Sequence, residues 1–193
     1  MIVLLSGKRK SGKDFVAEKL QALNPFSRPM RIIRLSAPLK KAYASEHPGV
    51  DYQQLMTSGE YKEKYRADMV RWGEAKRNSD PNYFVKLSFA DLDVHLKSSL
   101  VVVSDCRRKT DIESIKKLFD DPGYHNQLAI VTVRIEATRE ARESRGFTFT
   151  AGIDDCETEC GLDDYPHDFI FKNDSGGDIS PLIDFLDARL EAP

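Results

Sequence analysis

The sequence predicts an α/β protein, a three-layer α/β/α sandwich around a central parallel sheet, and three observations carry that reading. Short aliphatic runs alternate with helix-spaced amphipathic stretches along the chain. One run, Leu100 to Val103, is four consecutive aliphatic residues, the pattern of a strand buried on both faces of a parallel sheet. A glycine-rich loop joins the first aliphatic run directly to the first helical stretch.

Taken in order, Ile2 to Leu5 reads as a strand, Ser6-Gly7 turns the chain, and Gly12 to Leu23 has helical spacing. Arg31 to Leu35 is a second strand, and Ser36 with Pro38 just beyond opens a helix capped near Ser36 or Ala37. Tyr61 to Ser79 places Tyr65, Met69 and Trp72 at spacings of three and four in a charged helix with one basic face, which Asp80-Pro81 ends. Tyr83 to Leu96 resumes helical spacing through Phe84, Leu87, Ala90 and Val94. Beyond the Leu100 to Val103 strand, Thr110 to Glu113 fits a capping box, and Ile112, Ile115, Leu118 and Phe119 form the buried stripe of the helix that follows. Leu128 to Ile135 is a strand, Thr138 to Arg145 a short helix, Gly146 to Pro166 irregular and acidic, and Asp168 to Phe171 a last short strand. Ser180-Pro181 opens a C-terminal helix packed through Leu182, Leu186 and Leu190. No repeat or linker interrupts the 193 residues, so one domain is expected.

Composition narrows the function classes. With 40% hydrophobic and 31% charged residues the chain can bury an ordinary core, and a formal charge of −2 gives no global basic field for nucleic acid or an anionic membrane. Its apolar runs are far shorter than the ~20 residues that span a bilayer, and the N-terminus enters a strand without a signal-peptide core. Cys106, Cys156 and Cys160 make an odd number without framework spacing, the usage of reduced cytosolic thiols, so no disulfide is expected. A cytoplasmic, monomeric protein with small-molecule partners is the reading, and any anion site must be built locally.

Such a site is encoded in Gly7-Lys8-Arg9-Lys10-Ser11-Gly12-Lys13-Asp14, two glycines with four residues between them and lysine next. Because a strand precedes it and a helix follows, backbone N–H groups and the helix dipole converge where a triphosphate binds, with Lys13 reaching its β- and γ-phosphates. Asp14 stands where a serine or threonine hydroxyl normally meets magnesium; a carboxylate beside phosphates must face a cation, so Asp14 meets Mg²⁺ directly or through water, pairs with a lysine, or caps the helix. Asp105, at the end of the Leu100 to Val103 strand, is a second metal candidate, and Arg107-Arg108 places two guanidinium groups at the same sheet edge. Arg139, Arg142 and Arg145 recur every third residue and share one broad helical face before the acidic segment, an arrangement suited to a mobile lid over about 138–165. Lys62, Arg66 and Arg77 add a cationic surface within a helical region of about 37–98. Together these exceed the positive charge that one triphosphate requires and point to a second anionic substrate. Cys156, Cys160 and His167 are too few and too irregularly spaced for a zinc site.

Over nearly its whole length the chain resembles the animal-type phosphomevalonate kinases, relatives of the nucleoside monophosphate kinases. The resemblance is carried by LLSGKRKSGKDF from Leu4 to Phe15, RLSAPLK from Arg34 to Lys40, the stretch around DMVRWGEAKR from Tyr61 to Arg77, VSDCRR from Val103 to Arg108, and SRGFTFTAGIDDCETECGL from Ser144 to Leu162. That family's loop also ends in aspartate. The resemblance implies that Lys8 to Asp14 bind ATP, with Lys10 and Lys13 on its phosphates and Arg145 contacting nucleotide from the lid. It implies that Arg77, Arg107 and Arg108 bind phosphomevalonate or act in catalysis, with Arg142 supporting from the lid, Lys62 and Arg66 nearby, and Asn173 contacting substrate. Asp174 departs from a family member that has histidine there. The implied reaction joins ATP and 5-phosphomevalonate, with Mg²⁺, to give ADP and 5-diphosphomevalonate. The rival readings are another small-molecule kinase, for a nucleoside monophosphate or dephospho-CoA, a nucleotide-switch protein of the GTPase kind, and a noncatalytic scaffold. Against the switch, Asp105 lacks a glycine three residues on and no Asn-Lys-x-Asp motif occurs.

Overall fold

Five strands, β1 (Ile2–Ser6), β2 (Met30–Ile33), β3 (Leu100–Val103), β4 (Ile130–Glu136) and β5 (Phe169–Lys172), form one sheet in the order β2-β3-β1-β4-β5, every neighbouring pair parallel. Ile2, Val3 and Leu4 of β1 face Val101, Val102 and Val103 on one side, while Ile2 to Ser6 face Ile130 to Arg134 on the other. β1 and β3 are buried throughout, which is why Ile2 to Leu5 and Leu100 to Val103 are unbroken aliphatic runs, while the edge strands β2 and β5 vary in exposure. The computed structural model describes residues 1–57, 59–90, 99–120, 128–175 and 177–190.

Helices close both faces of the sheet. α1 (Lys13–Leu23) and α9 (Ser180–Leu190) bury Val16, Ala17, Leu20, Leu182 and Leu186 against Val3, Leu5, Val102, Val133 and Ile135. Chain order runs one way along the sheet from β1 to β2 and the opposite way from β3 to β4, so right-handed crossovers put α1 and α6 (Lys109–Asp120) on opposite faces. The expected α/β/α sandwich is thus the fold. α6 buries Ile112, Ile115 and Phe119 of its anticipated stripe. Its start differs from the expected capping box: the helix begins at Lys109, and Asp111 reaches back to accept the N–H groups of Arg107 and Arg108, both at 3.1 Å. A carboxylate in the first turn serves these donors better than the neutral Thr110 hydroxyl.

The chain divides into two compact units, Met1–Ile33 with Asp93–Pro193, and Arg34–Leu92. The second is helical: α2 (Ser36–Glu46), α3 (Tyr52–Met56), α4 (Glu60–Ser79) and α5 (Tyr83–Phe89). The second strand stops at Ile33, short of the anticipated Leu35, which becomes the N-cap of α2. Sequence spacing misses α3, a single turn too short for periodicity, held by Asp51 accepting the N–H groups of Gln53 and Gln54 at 2.7 and 3.2 Å. The expected continuation of α5 to Leu96 lies outside the described residues. Tyr43, Leu55 and Met69 form this unit's core, with Tyr65 and Trp72 packed against it. Burial, then the hydrogen bond to Asp68 at 2.6 Å, pushes the Tyr43 phenol up to about 12.

The remaining helices, α7 (Arg139–Ser144) and α8 (Glu157–Cys160), lie in the segment between β4 and β5. The short helix expected over Thr138 to Arg145 is α7, with Thr138 capping it by accepting the N–H of Ala141 at 3.2 Å, whereas α8 is one turn inside the stretch expected to be irregular.

Candidate functional site

The loop from Gly7 to Gly12 runs from the end of β1 to the start of α1 and rests against the end of β4. Gly7 has φ +148°, and a Cβ there would come within 2.3 Å of the Ile135 carbonyl oxygen. Gly12 has φ +93°, and a Cβ there would come within 2.2 Å of the Asn173 amide nitrogen. Both glycines are demanded by close approach as well as by backbone angle. Asn173 Nδ2 donates to Ser11 O at 2.8 Å, so the loop is held from the end of β5.

Lys13 is buried in the first turn of α1, its ammonium donating to Gly7 O at 2.5 Å and Lys8 O at 3.0 Å. Burial, and then the Arg107 guanidinium, lowers its pKa to about 8, against the opposing pull of Glu159, Asp14 and Asp105. Asp14 and Asp105 therefore lie within electrostatic reach of this ammonium, as their position at the sheet edge anticipates. Asp14 accepts a hydrogen bond from Ser104 Oγ at 3.2 Å. Among the described residues no group of three or more His, Cys, Asp or Glu side chains gathers into a ready-made metal cage. A hydrated cation bound through one or two carboxylates needs no such cage, and Asp14 with Asp105 has that donor chemistry.

Arg107 donates to Thr158 O at 3.1 Å and pairs with Glu159, while Arg108 is buried with its guanidinium 3.5 Å from Glu157. Both arginines thus meet α8 of the acidic segment. From the other end of that segment, Arg142 Nε donates to Arg9 O at 2.8 Å and its guanidinium stacks 3.8 Å above the Phe147 ring, where Arg9 also stacks at 5.3 Å. Arg145 donates to Ser11 O at 3.2 Å, to Asn173 O at 2.6 Å and to Asp174 O at 2.9 Å. Arg139 does not join them: it is exposed and pairs with Glu143 one turn on at 2.8 Å, so the shared arginine face anticipated from the spacing reduces to Arg142 and Arg145. Asp174 accepts the Thr138 N–H at 2.7 Å, tying the end of β5 to the start of α7.

The acidic segment answers these cations one by one. Asp154 pairs with Arg9 at 2.7 Å, Asp163 with Lys8 at 2.8 Å and with Arg134, and Glu159 with Arg107. Sequence reading missed all three acids and Phe147, because within an acidic stretch nothing local separates a buried carboxylate from a solvated one. His167, remote from the loop in sequence, also arrives beside it, its Nε2 3.2 Å from Ser6 Oγ, and burial lowers its pKa. A cavity of about 390 Å³ opens beside the loop, lined by Lys8, Ser11, Arg134, Thr138, Arg142 and Lys172 among others. Lys10 is exposed at φ 65°.

Lys62, Arg66 and Arg77 belong to α4 of the helical unit. Arg66 makes a two-pronged pair with Glu63, both bonds 2.7 Å, and Arg77 stacks on Phe84 at 4.7 Å. Lys40 of α2, which the sequence reading did not single out, is buried in the same unit with its ammonium 3.8 Å from the Met56 sulfur.

A parallel sheet in this order, with a glycine loop running from its central strand into a helix and an arginine-bearing segment folded over that loop, defines the P-loop kinase class. Solved structures share the fold: the APS kinase of Mycobacterium tuberculosis, in complex with AMPPNP and APS, matches with a TM-score of 0.51 at 14% identity over 99% of this chain and 97% of its own. TT1252 from Thermus thermophilus matches with a TM-score of 0.52 at 17% identity over 98% and 96%. The chain belongs to the phosphomevalonate kinase family, whose model matches residues 5–121. The phosphomevalonate kinase of Drosophila melanogaster is 38% identical over 192 residues, 98% of this chain and 96% of that protein.

Proposed function

We propose that the protein transfers the γ-phosphoryl group of ATP to 5-phosphomevalonate, giving ADP and 5-diphosphomevalonate, as a monomer in the cytoplasm. Its single strongest support is the gathering of Lys8, Lys13, Arg107, Arg142 and Arg145 around one glycine loop in a chain of family-wide similarity to phosphomevalonate kinases. The nucleophile is a phosphate oxygen. A phosphate monoester loses its second proton near pH ~6, so at neutral pH the attacking oxygen is already ionised and needs no strong general base. Repulsion is the obstacle, since roughly four charges on ATP must approach about three on the acceptor.

In this reading the loop amides from Lys8 to Asp14 cradle the ATP phosphates and Lys13 neutralises the transferring group. Arg107 and Arg108 hold the acceptor phosphate, with Arg142 supporting from the lid and Arg145 beside the nucleotide. Asn173 positions substrate next to the loop it already bonds, and the family resemblance assigns Lys62, Arg66 and Arg77 to acceptor binding. Asp14 and Asp105 would hold Mg²⁺, which supplies charge neutralisation at the β- and γ-phosphate oxygens. The cavity beside Lys8 and Ser11 offers room for part of the nucleotide.

The test is an ADP-release assay with purified protein and a panel of acceptors. Mevalonate 5-phosphate is expected to turn over at least ~100-fold faster than mevalonate or any nucleoside monophosphate, because only it presents a phosphate nucleophile on a short carboxylate chain. Comparable rates with a nucleoside monophosphate would overturn the assignment.

A further inference from the structure

The acid in the middle of the lid does more than dock it. Glu159 is 5% exposed, and its two oxygens are used in different directions: Oε1 takes the Arg107 guanidinium, and Oε2 accepts the backbone N–H of Arg9 at 2.9 Å. One carboxylate therefore bridges the glycine loop and the arginine that follows β3, spanning 150 residues to one partner and 52 to the other. A buried carboxylate survives only with such partners. Desolvation would push its pKa up, yet Arg107, Lys13 and its hydrogen bonds outweigh that and hold it below the usual carboxylate range. It is ionised whenever the protein is folded near neutrality.

We infer that Glu159 is a positioning residue that fixes Arg107 relative to the phosphate loop, and so sets the separation of the two phosphates that react. The inference rests on the proposed role of Arg107 in holding the acceptor phosphate. In-line transfer between two polyanions is sensitive to placement, and a cation free to rotate on a flexible stem would bind the acceptor without presenting its oxygen to the γ-phosphorus. Glu159 removes that freedom from Arg107 through its charge and from the loop through its acceptor oxygen. Because the carboxylate arrives on α8, Arg107 is aligned only when the lid is folded down. Closure and alignment become one event.

A double-mutant cycle on the full chain tests this with Glu159→Ala, Arg107→Ala and both together, reading kcat and KM for each substrate beside the melting temperature. Glu159→Ala is expected to lower kcat about 10- to 100-fold with KM for ATP changed less than about 3-fold, and to cost little more once Arg107 is already alanine. Glu159→Gln, which keeps the shape and an acceptor for the Arg9 N–H while losing the charge, should fall between wild type and alanine, and it carries the cycle if the alanine variant fails to fold. Equal Glu159 losses with and without Arg107 would overturn the positioning role and leave the role of Arg107 standing. An Arg107→Ala variant with unaltered kcat would instead overturn the reading of the site on which the inference depends.

Discussion

Lys13 is held by the carbonyl oxygens of its own loop and buried, so its ammonium is less basic than a solvated lysine, with a pKa of about 8 instead of 10.5. The sign follows directly. The unfolded chain binds this proton more tightly than the folded one, so between pH 8 and 10.5 stability rises with pH as the folded state sheds a proton that the unfolded state keeps. An arriving polyphosphate reverses the balance by stabilising the charged form. ATP binding at pH 8, where the nucleotide is fully ionised, is therefore expected to draw about half a proton from solution. Calorimetry in two buffers of different ionisation enthalpy reads that uptake, Lys13→Met should abolish it, and proton release would refute the placement of this ammonium on the phosphates. Lys13 was legible in the sequence because two glycines and a lysine at fixed spacing, between a strand and a helix, admit few other uses. Glu159 was not, since its neighbours Glu157, Asp163 and Asp164 give it the appearance of one more solvated acid, and only the fold brings Arg107 and Arg9 to it.

Among the elements, legibility follows where the neighbours lie. β3 could be read residue for residue because burial on both faces leaves only an unbroken aliphatic run, and α4 because its length repeats the apolar spacing several times. α3 and α8 are single turns that have no period, and the start of α6 is decided by Asp111 accepting the N–H groups of Arg107 and Arg108 behind it, against a local pattern that favours Thr110. The loop itself tolerates least. Replacing Gly7 by alanine forces a side chain to φ +148° and against the Ile135 carbonyl, which cannot yield because β4 is held there in register with β5, Ile135 opposite Phe171. Backbone strain alone costs about 1–3 kcal/mol, so a melting temperature lower by roughly 5 °C or more is expected, since each kcal/mol moves a chain of this size ~2–4 °C. Gly152→Ala is the control: φ is +76° but nothing lies within 4 Å of the new carbon, so only the smaller left-handed penalty should appear. Scanning calorimetry of the two variants separates contact from backbone, and equal losses would show that the loop does not press on β4 as described.

At the scale of the molecule, a chain of net charge −2 keeps a strongly cationic loop by folding its own acids over it. Lys8, Arg9, Arg107 and Arg134 each meet Asp154, Glu159 or Asp163, which offsets the mutual repulsion of a cluster that no surrounding field relieves. These pairs differ in exposure, from Glu159 with 3% of its side chain accessible to Asp163 with 32%, so salt reaches them unequally. The screening length falls from ~10 Å at 0.1 M to ~3 Å at 1 M, and screening acts on the approach of anionic substrates far more than on pairs already buried. Between about 0.05 and 0.5 M KCl, kcat/KM for the phosphorylated acceptor is expected to fall several-fold through KM, while kcat and the melting temperature stay nearly constant. A protein steered by a global basic field would lose affinity for any polyanion under the same treatment, so heparin added as a competitor at low salt should leave turnover unchanged here. If kcat/KM were instead indifferent to salt, the acceptor would have to be held by hydrogen bonds and shape, and the cations gathered at the loop would serve the donor alone.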